Sequence, residues 1–75
     1  MQKLSDISIS AALISIGAKF KGIEKNSSGR ADFLFNEDED FITESVDLYY
    51  RNELKVSALA FANNFRNLKN LIHQN

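Results

Sequence analysis

Hydrophobic positions along this chain follow two periods, and the change from one to the other outlines the elements. Ile9, Ala12, Leu13 and Ile16 recur at helical spacing behind Ser5 and Asp6, whose side chains offer capping oxygens. Gly17 follows the last of them, where a helix end favours a residue that tolerates positive φ. The spacing predicts a helix over about residues 7–16, held by packing because Ser8, Ser10 and Ser15 lower its propensity. Ala18 to Lys25 reads as a strand anchored by Phe20 and Ile23. These two lie three apart and cannot share a face of a regular strand, so Gly22 marks a bulge. Asn26-Ser27-Ser28-Gly29 is a turn, and Arg30 to Phe35 returns as a strand. Ala31, Phe33 and Phe35 then share one face, with Arg30, Asp32 and Leu34 on the other.

Beyond Phe35 the period becomes 3.6. Asn36 is the expected N-cap, with Glu39 three residues on, as in a capping box. Phe41, Ile42, Ser45, Val46, Leu48 and Tyr49 trace the buried side of a helix over about 37–51, which Asn52 closes in a left-handed conformation. Leu54 to Val56 is short and extended, and is read as an optional third strand at the hairpin's edge. Ser57 caps a last helix over about 58–73, where Ala58, Phe61, Ala62, Phe65, Leu68 and Ile72 gather in one stripe. Asn63, Asn67, Asn70 and Gln74 are assigned to the opposite side. The expected fold is α+β, in the order α-β-β-α-(β)-α, with an antiparallel hairpin packed against three helices. Its core is expected to draw on Ile9, Leu13, Ile16, Phe20, Phe33, Phe35, Phe41, Leu48, Tyr49, Phe61, Phe65, Leu68 and Ile72.

Composition narrows the class. Seventy-five residues make a single small domain, 1–75. A chain of this size buries only about 60% of its unfolded surface, so its stability is expected to be marginal and a second subunit would help. Hydrophobic residues make up 44% and charged residues 25%, which argues for a folded chain rather than a disordered one. With no cysteine, neither disulfides nor thiolate metal sites reinforce the core. No apolar run approaches the roughly 18 residues of a membrane span, and no signal peptide is apparent. The expectation is a cytoplasmic protein with no membrane partner.

The net charge of −1 is unevenly spread. Residues 1–50 carry five basic groups against nine acidic ones, a balance of −4. Arg51, Lys55, Arg66 and Lys69 against Glu53 leave residues 51–75 at +3. This permits a basic surface on the last third, well short of the footprint of a dedicated DNA binder.

Each candidate site has a plainer reading beside it. Glu37-Asp38-Glu39-Asp40 lacks the spacing and turn glycine of a calcium loop, and carboxylates in a first helical turn favour the helix dipole. His73, the only histidine, has no nucleophile motif to serve, and Gly17, Gly22 and Gly29 form no phosphate-binding pattern. No catalytic residue, metal site or cofactor is assigned, and an enzyme is not expected. Arg66, Lys69 and His73 are spaced three and four apart and form a ridge beside the apolar stripe. That ridge is either a contact for phosphates or an acidic partner, or solvated charge with the Lys69 stem lying on the core. Tyr49 and Tyr50 lie about 100° apart on their helix, so one must face outward, where tyrosine gives contact area at low entropic cost. Phe33 and Phe35 suggest an RNA-stacking platform less than they suggest core.

In its order of positions the chain resembles a family. Phe33-x-Phe35, then Tyr49 or Tyr50 with Asn52-Glu53, Val56, Phe61-Ala62-Asn63, Leu68-Lys69 and Ile72 are similar to the domain of unknown function 5659. Asp6 through Ala11-Ala12-Leu13 to Gly17 resembles that family's opening helix. Tyr50 stands where the family often has tryptophan, and Ser57-Ala58 where it often has Asp-Pro; both keep the local role. The resemblance implies a phage or mobile-element origin and no assigned activity.

The expected function is therefore a non-catalytic protein-interaction or oligomerisation module, with a protein partner or a second copy of itself. Tyr50, Arg51, Lys55, Arg66, Lys69 and His73 are its candidate contact residues. The alternative is a weak nucleic-acid-binding module using the basic ridge of the last helix, and a small-molecule or enzymatic role ranks third.

Overall fold

A computed structural model describes residues 1–74. Along the chain run β1 (Gln2–Leu4), α1 (Ile7–Ser15), β2 (Phe20–Lys25), β3 (Ala31–Phe35), α2 (Glu39–Tyr50) and α3 (Ala58–His73). The fold is α+β, a three-stranded antiparallel sheet in the order β1-β3-β2 with three helices.

The third strand is not Leu54–Val56. Gln2–Leu4 pairs with β3 instead, setting Gln2, Lys3 and Leu4 against Phe35, Leu34 and Phe33. With β2 on its other side, β3 has no edge left to offer, and Leu54–Val56 is an irregular link between α2 and α3. The element order is thus β-α-β-β-α-α.

The hairpin has the expected anatomy. Phe20 lies opposite Phe35 and Ile23 opposite Phe33, and the register shifts between Phe20 and Gly22. The extra residue turns both apolar anchors to the same face, at the expense of a backbone φ of +127° that glycine alone tolerates well. At the turn, Asn26 Oδ1 accepts from the Ser28 and Arg30 amides at 3.0 and 3.2 Å.

Both α1 and α2 end in a left-handed residue with the same pair of bonds. Ala18 N–H donates to Leu13 C=O and Gly17 N–H to Ile14 C=O, each at 3.0 Å; Gly17 has φ +100°. Glu53 N–H donates to Leu48 C=O at 2.9 Å and Asn52 N–H to Tyr49 C=O at 3.1 Å, with Asn52 at φ +59°. These are Schellman closures, which satisfy carbonyls that a bare helix end leaves orphaned. At the helix starts, the Asp6 carboxylate accepts from Ile9 N–H at 2.9 Å and Ser57 Oγ from Ala60 N–H at 3.2 Å.

α2 starts later than the acidic run suggested. Its N-cap is Asp38, without a side-chain cap bond, and Asn36 is not a cap. The Asn36 amide still serves the end of the sheet, donating to Lys19 C=O at 2.8 Å, while Glu37 accepts from Lys19 N–H at 2.8 Å. Two residues spent on that tether cannot also enter the helix.

The core lies between the inner face of the sheet and the helices. Phe33, Phe35, Ile9, Ala11, Leu13, Ala18, Ile42 and Leu68 form one buried cluster. α1 is buried along five successive residues, Ile9 to Leu13, rather than along a stripe, as befits a helix with neighbours on several sides. Ile16 and Leu48, expected in the core, are only half-buried, and the small residues Ala11, Ala12 and Ala18 take the interior instead. Small side chains let α3 lie close against α1, where Asn64 Nδ2 donates to Ser15 Oγ at 3.0 Å. The outer face of the sheet carries Leu34 among Lys3, Glu24 and Asp32, and is crossed by a Lys3–Glu24 ion pair at 2.8 Å.

Candidate interaction surface

The Schellman closure of α2 turns the chain sharply, so that the last turn of α2 and the first turns of α3 flank α1. Tyr49 and Tyr50 on one side and Phe61 on the other wall a groove of about 410 Å³, with Ala12 of α1 at its floor. Leu54 and Val56 complete the lining. Their alternation, taken in the sequence for a strand, presents two aliphatic side chains to this groove.

The two tyrosines divide as adjacent helical positions must. Tyr49 is half-buried and packs against the core, whereas Tyr50 is 70% exposed. Their rings meet edge to face, with centroids 5.5 Å apart. That geometry suits the aromatic quadrupole and stiffens the exposed ring.

A second depression of about 420 Å³ shares Phe61 with the first and continues along α3 through Ala62, Phe65, Arg66 and Lys69. The Phe61 and Phe65 rings are 5.9 Å apart. The Lys69 ammonium stands 5.9 Å from the centre of the Phe65 ring, a cation–π contact worth about 0.5–1 kcal/mol at an exposed site. Arg66 donates to Asn63 Oδ1 at 3.3 Å along the same helix.

Not every candidate residue joins this surface equally. Tyr50 lines the first depression, and Arg66 and Lys69 line the second. Lys55 is exposed between the lining residues Leu54 and Val56. Arg51 is already engaged, 3.4 Å from Asp47 and 3.4 Å from Glu53. His73 is exposed near the end of α3, one turn past Lys69, and lines neither depression. Among the described residues Arg66 and Lys69 have no carboxylate within ion-pair distance.

Phe61 is the residue that sequence reading undervalued. It belongs to the apolar stripe of α3 and was assigned to the core alone, yet it forms the wall common to both depressions. Its place at the start of a capped helix, just after an irregular apolar link, is the one signal in the chain that hinted at this role. The amide side of α3 is exposed, as its sequence suggested, and Asn67, Asn70 and Gln74 edge a separate depression beside Ile14 and Phe20.

A family model described as "Domain of unknown function (DUF5659)" matches residues 2–74, nearly the whole chain. No curated protein and no solved structure matches it. Among the described residues no helix is long and apolar enough to cross a membrane, and no three of His, Asp and Glu gather as a metal site would need.

Proposed function

We propose that this chain, which belongs to the domain of unknown function 5659 family, is a non-catalytic module that binds a protein surface through the Tyr50–Phe61 groove. An accessory role in phage or mobile-element biology, implied by the resemblance, accords with a module of this size. The observation that carries the reading is a pair of neighbouring depressions that share Phe61. An exposed tyrosine, two aliphatic side chains, two phenylalanines and two unneutralised cations border the pair. Interfaces are built from such material, with aromatic and arginine anchors in a pocket and charge at the rim.

Cross-linking from the groove tests it. Tyr50 replaced by photoreactive benzoylphenylalanine in the full chain, irradiated in cells, is expected to give a discrete protein adduct. The same probe at Lys21, on the exposed edge of the sheet, is expected to give none. No adduct from position 50 would overturn the reading.

Lys55, Arg66 and Lys69 also support the nucleic-acid reading, but less well. The ion pairs of Arg51 with Asp47 and Glu53 leave three cations where four were counted. That reading requires affinity at low salt that falls steeply as salt rises and is lost in R66E/K69E.

A further inference from the structure

We propose that the segment bound here is an acidic peptide, with an apolar side chain seated beside Tyr50 and Phe61 and carboxylates held by Arg66 and Lys69. This rests on the reading of the Tyr50–Phe61 groove as an interaction surface and names the chemistry of its partner.

Side-chain charge on α3 has one sign, because the sequence has no acidic residue beyond Glu53. Arg66 and Lys69 stand one turn apart and line the second depression with Phe61, Ala62 and Phe65. Their contacts within the chain are neutral: Asn63 Oδ1 for Arg66 at 3.3 Å, and the Phe65 ring for Lys69. At the Tyr50 end Asp47 and Glu53 both lie beside Arg51, and Lys55 is exposed. That end is balanced, with two carboxylates against two cations, whereas the α3 end is positive. A guanidinium fork and an ammonium side by side hold carboxylates through charge-assisted hydrogen bonds.

Charge alone is only half of what the partner must bring. The first depression, on the other side of Phe61, has no charged side chain in its lining. Tyr50 beside it is 70% exposed, and Leu59 is 72% exposed. Leu59 lies three residues before Ala62 and seven before Arg66, so it extends the same flank of α3. A partner that offered only negative charge would leave both side chains in water, whereas a peptide with an apolar anchor covers them. A nucleic acid fits less well. The Lys69 ammonium lies over the Phe65 ring, where a base would have to stack. A polyanion reaching past Arg66 and Lys69 would also meet the −4 balance of residues 1–50. A basic partner is repelled by the two cations and gains nothing at the balanced end.

Selection of a displayed library of short random peptides on the full chain, at low salt, is the first experiment. The enriched sequences are expected to combine an aromatic or leucine side chain with several Asp or Glu. No enrichment, or enrichment without an acidic bias, overturns the proposal. A synthetic fluorescent copy of the selected peptide then gives affinities by anisotropy. Its binding is expected to weaken with salt and to fall more than about tenfold in R66Q/K69Q and in Tyr50→Ala, each shown by circular dichroism to be folded. In R66E/K69E the preference is expected to reverse, so that the same peptide with lysine for each carboxylate binds this variant better than it binds the parent chain. An acidic peptide that binds R66Q/K69Q as well as the parent overturns the proposal. So does a single-stranded oligonucleotide that displaces the peptide at a lower concentration than unlabelled peptide does, which makes the partner a nucleic acid. A dimer by light-scattering mass that R66Q/K69Q dissociates makes it a second copy, with the same consequence. The groove and the acidic partner fail separately. Neutral or basic peptides lost in Tyr50→Ala keep the groove and remove the acidic partner; acidic peptides indifferent to Tyr50→Ala remove the groove, and the proposal with it.

Discussion

Single side chains carry much of the local specification. Ser10 is completely buried in the middle of α1, and among the described residues its hydroxyl has no hydrogen-bond partner. An orphaned buried hydroxyl costs roughly 1–3 kcal/mol, and alanine is the better helix former. Ser10→Ala is therefore expected to raise stability by about 1 kcal/mol, read as a higher urea midpoint at unchanged m-value. Gly22 works in the opposite sense. A Cβ there meets no atom within 4 Å, so space is no obstacle, but φ +127° strains any L side chain. Gly22→Ala is expected to destabilise by more than about 1 kcal/mol through backbone conformation alone. On the outer face of the sheet, the hydrogen bond from Lys3 to Glu24 and then the charge of Glu24 raise the Lys3 pKa above the ordinary 10.5; Asp32 adds to this and partial desolvation opposes it. A raised lysine pKa means that the pair's contribution is present below pH 10.5 and lost as pH climbs through the folded value. Glu24→Gln is expected to lower the Lys3 pKa toward 10.5 by NMR titration and to remove that alkaline dependence.

At the scale of elements, pairing explains which segments hold. β3 is bonded on both sides and carries the fully buried Phe33 and Phe35, whereas β1 contributes three residues at one edge. Hydrogen exchange is expected to be slowest at the paired amides of β3 and in α1, and fastest among the strands in β1. Much of this level was legible beforehand. The Asn26 turn, the Gly22 bulge, the left-handed Gly17 and Asn52 and the Asp6 and Ser57 caps each depend on a side chain and its near neighbours. What was missed depended on distant chain. Gln2–Leu4 is too short for its alternation to stand out, and only β3 makes it a strand. Leu54–Val56 alternates well, yet no sheet edge beside β3 remains for it.

For the whole molecule the question is how so small a core holds together. Its fully buried large side chains are Phe33, Phe35 and Leu13, and α1 gives the interior alanine and serine rather than bulk. Truncating Phe35 to alanine removes about 3–5 kcal/mol, most of what a domain of this size commonly has, so Phe35→Ala is expected to be unfolded by circular dichroism at 37 °C.

The amino-acid order by itself determined the three helices, the β2–β3 hairpin and the C-terminal closures of α1 and α2, because period, capping and turn chemistry act over a few residues. It also determined that Tyr49 and Tyr50 face apart and that Arg66 and Lys69 share a helix flank, since both follow from 3.6 residues per turn. Only the tertiary structure decided that Gln2–Leu4 completes the sheet, that α1 is enclosed on several sides, and that Phe61 stands between one depression lined by Tyr50 and Leu54 and another lined by Lys69. Those facts rest on contacts between residues far apart in sequence. A local pattern does not record which partners compete for the same sheet edge or which helix flanks meet.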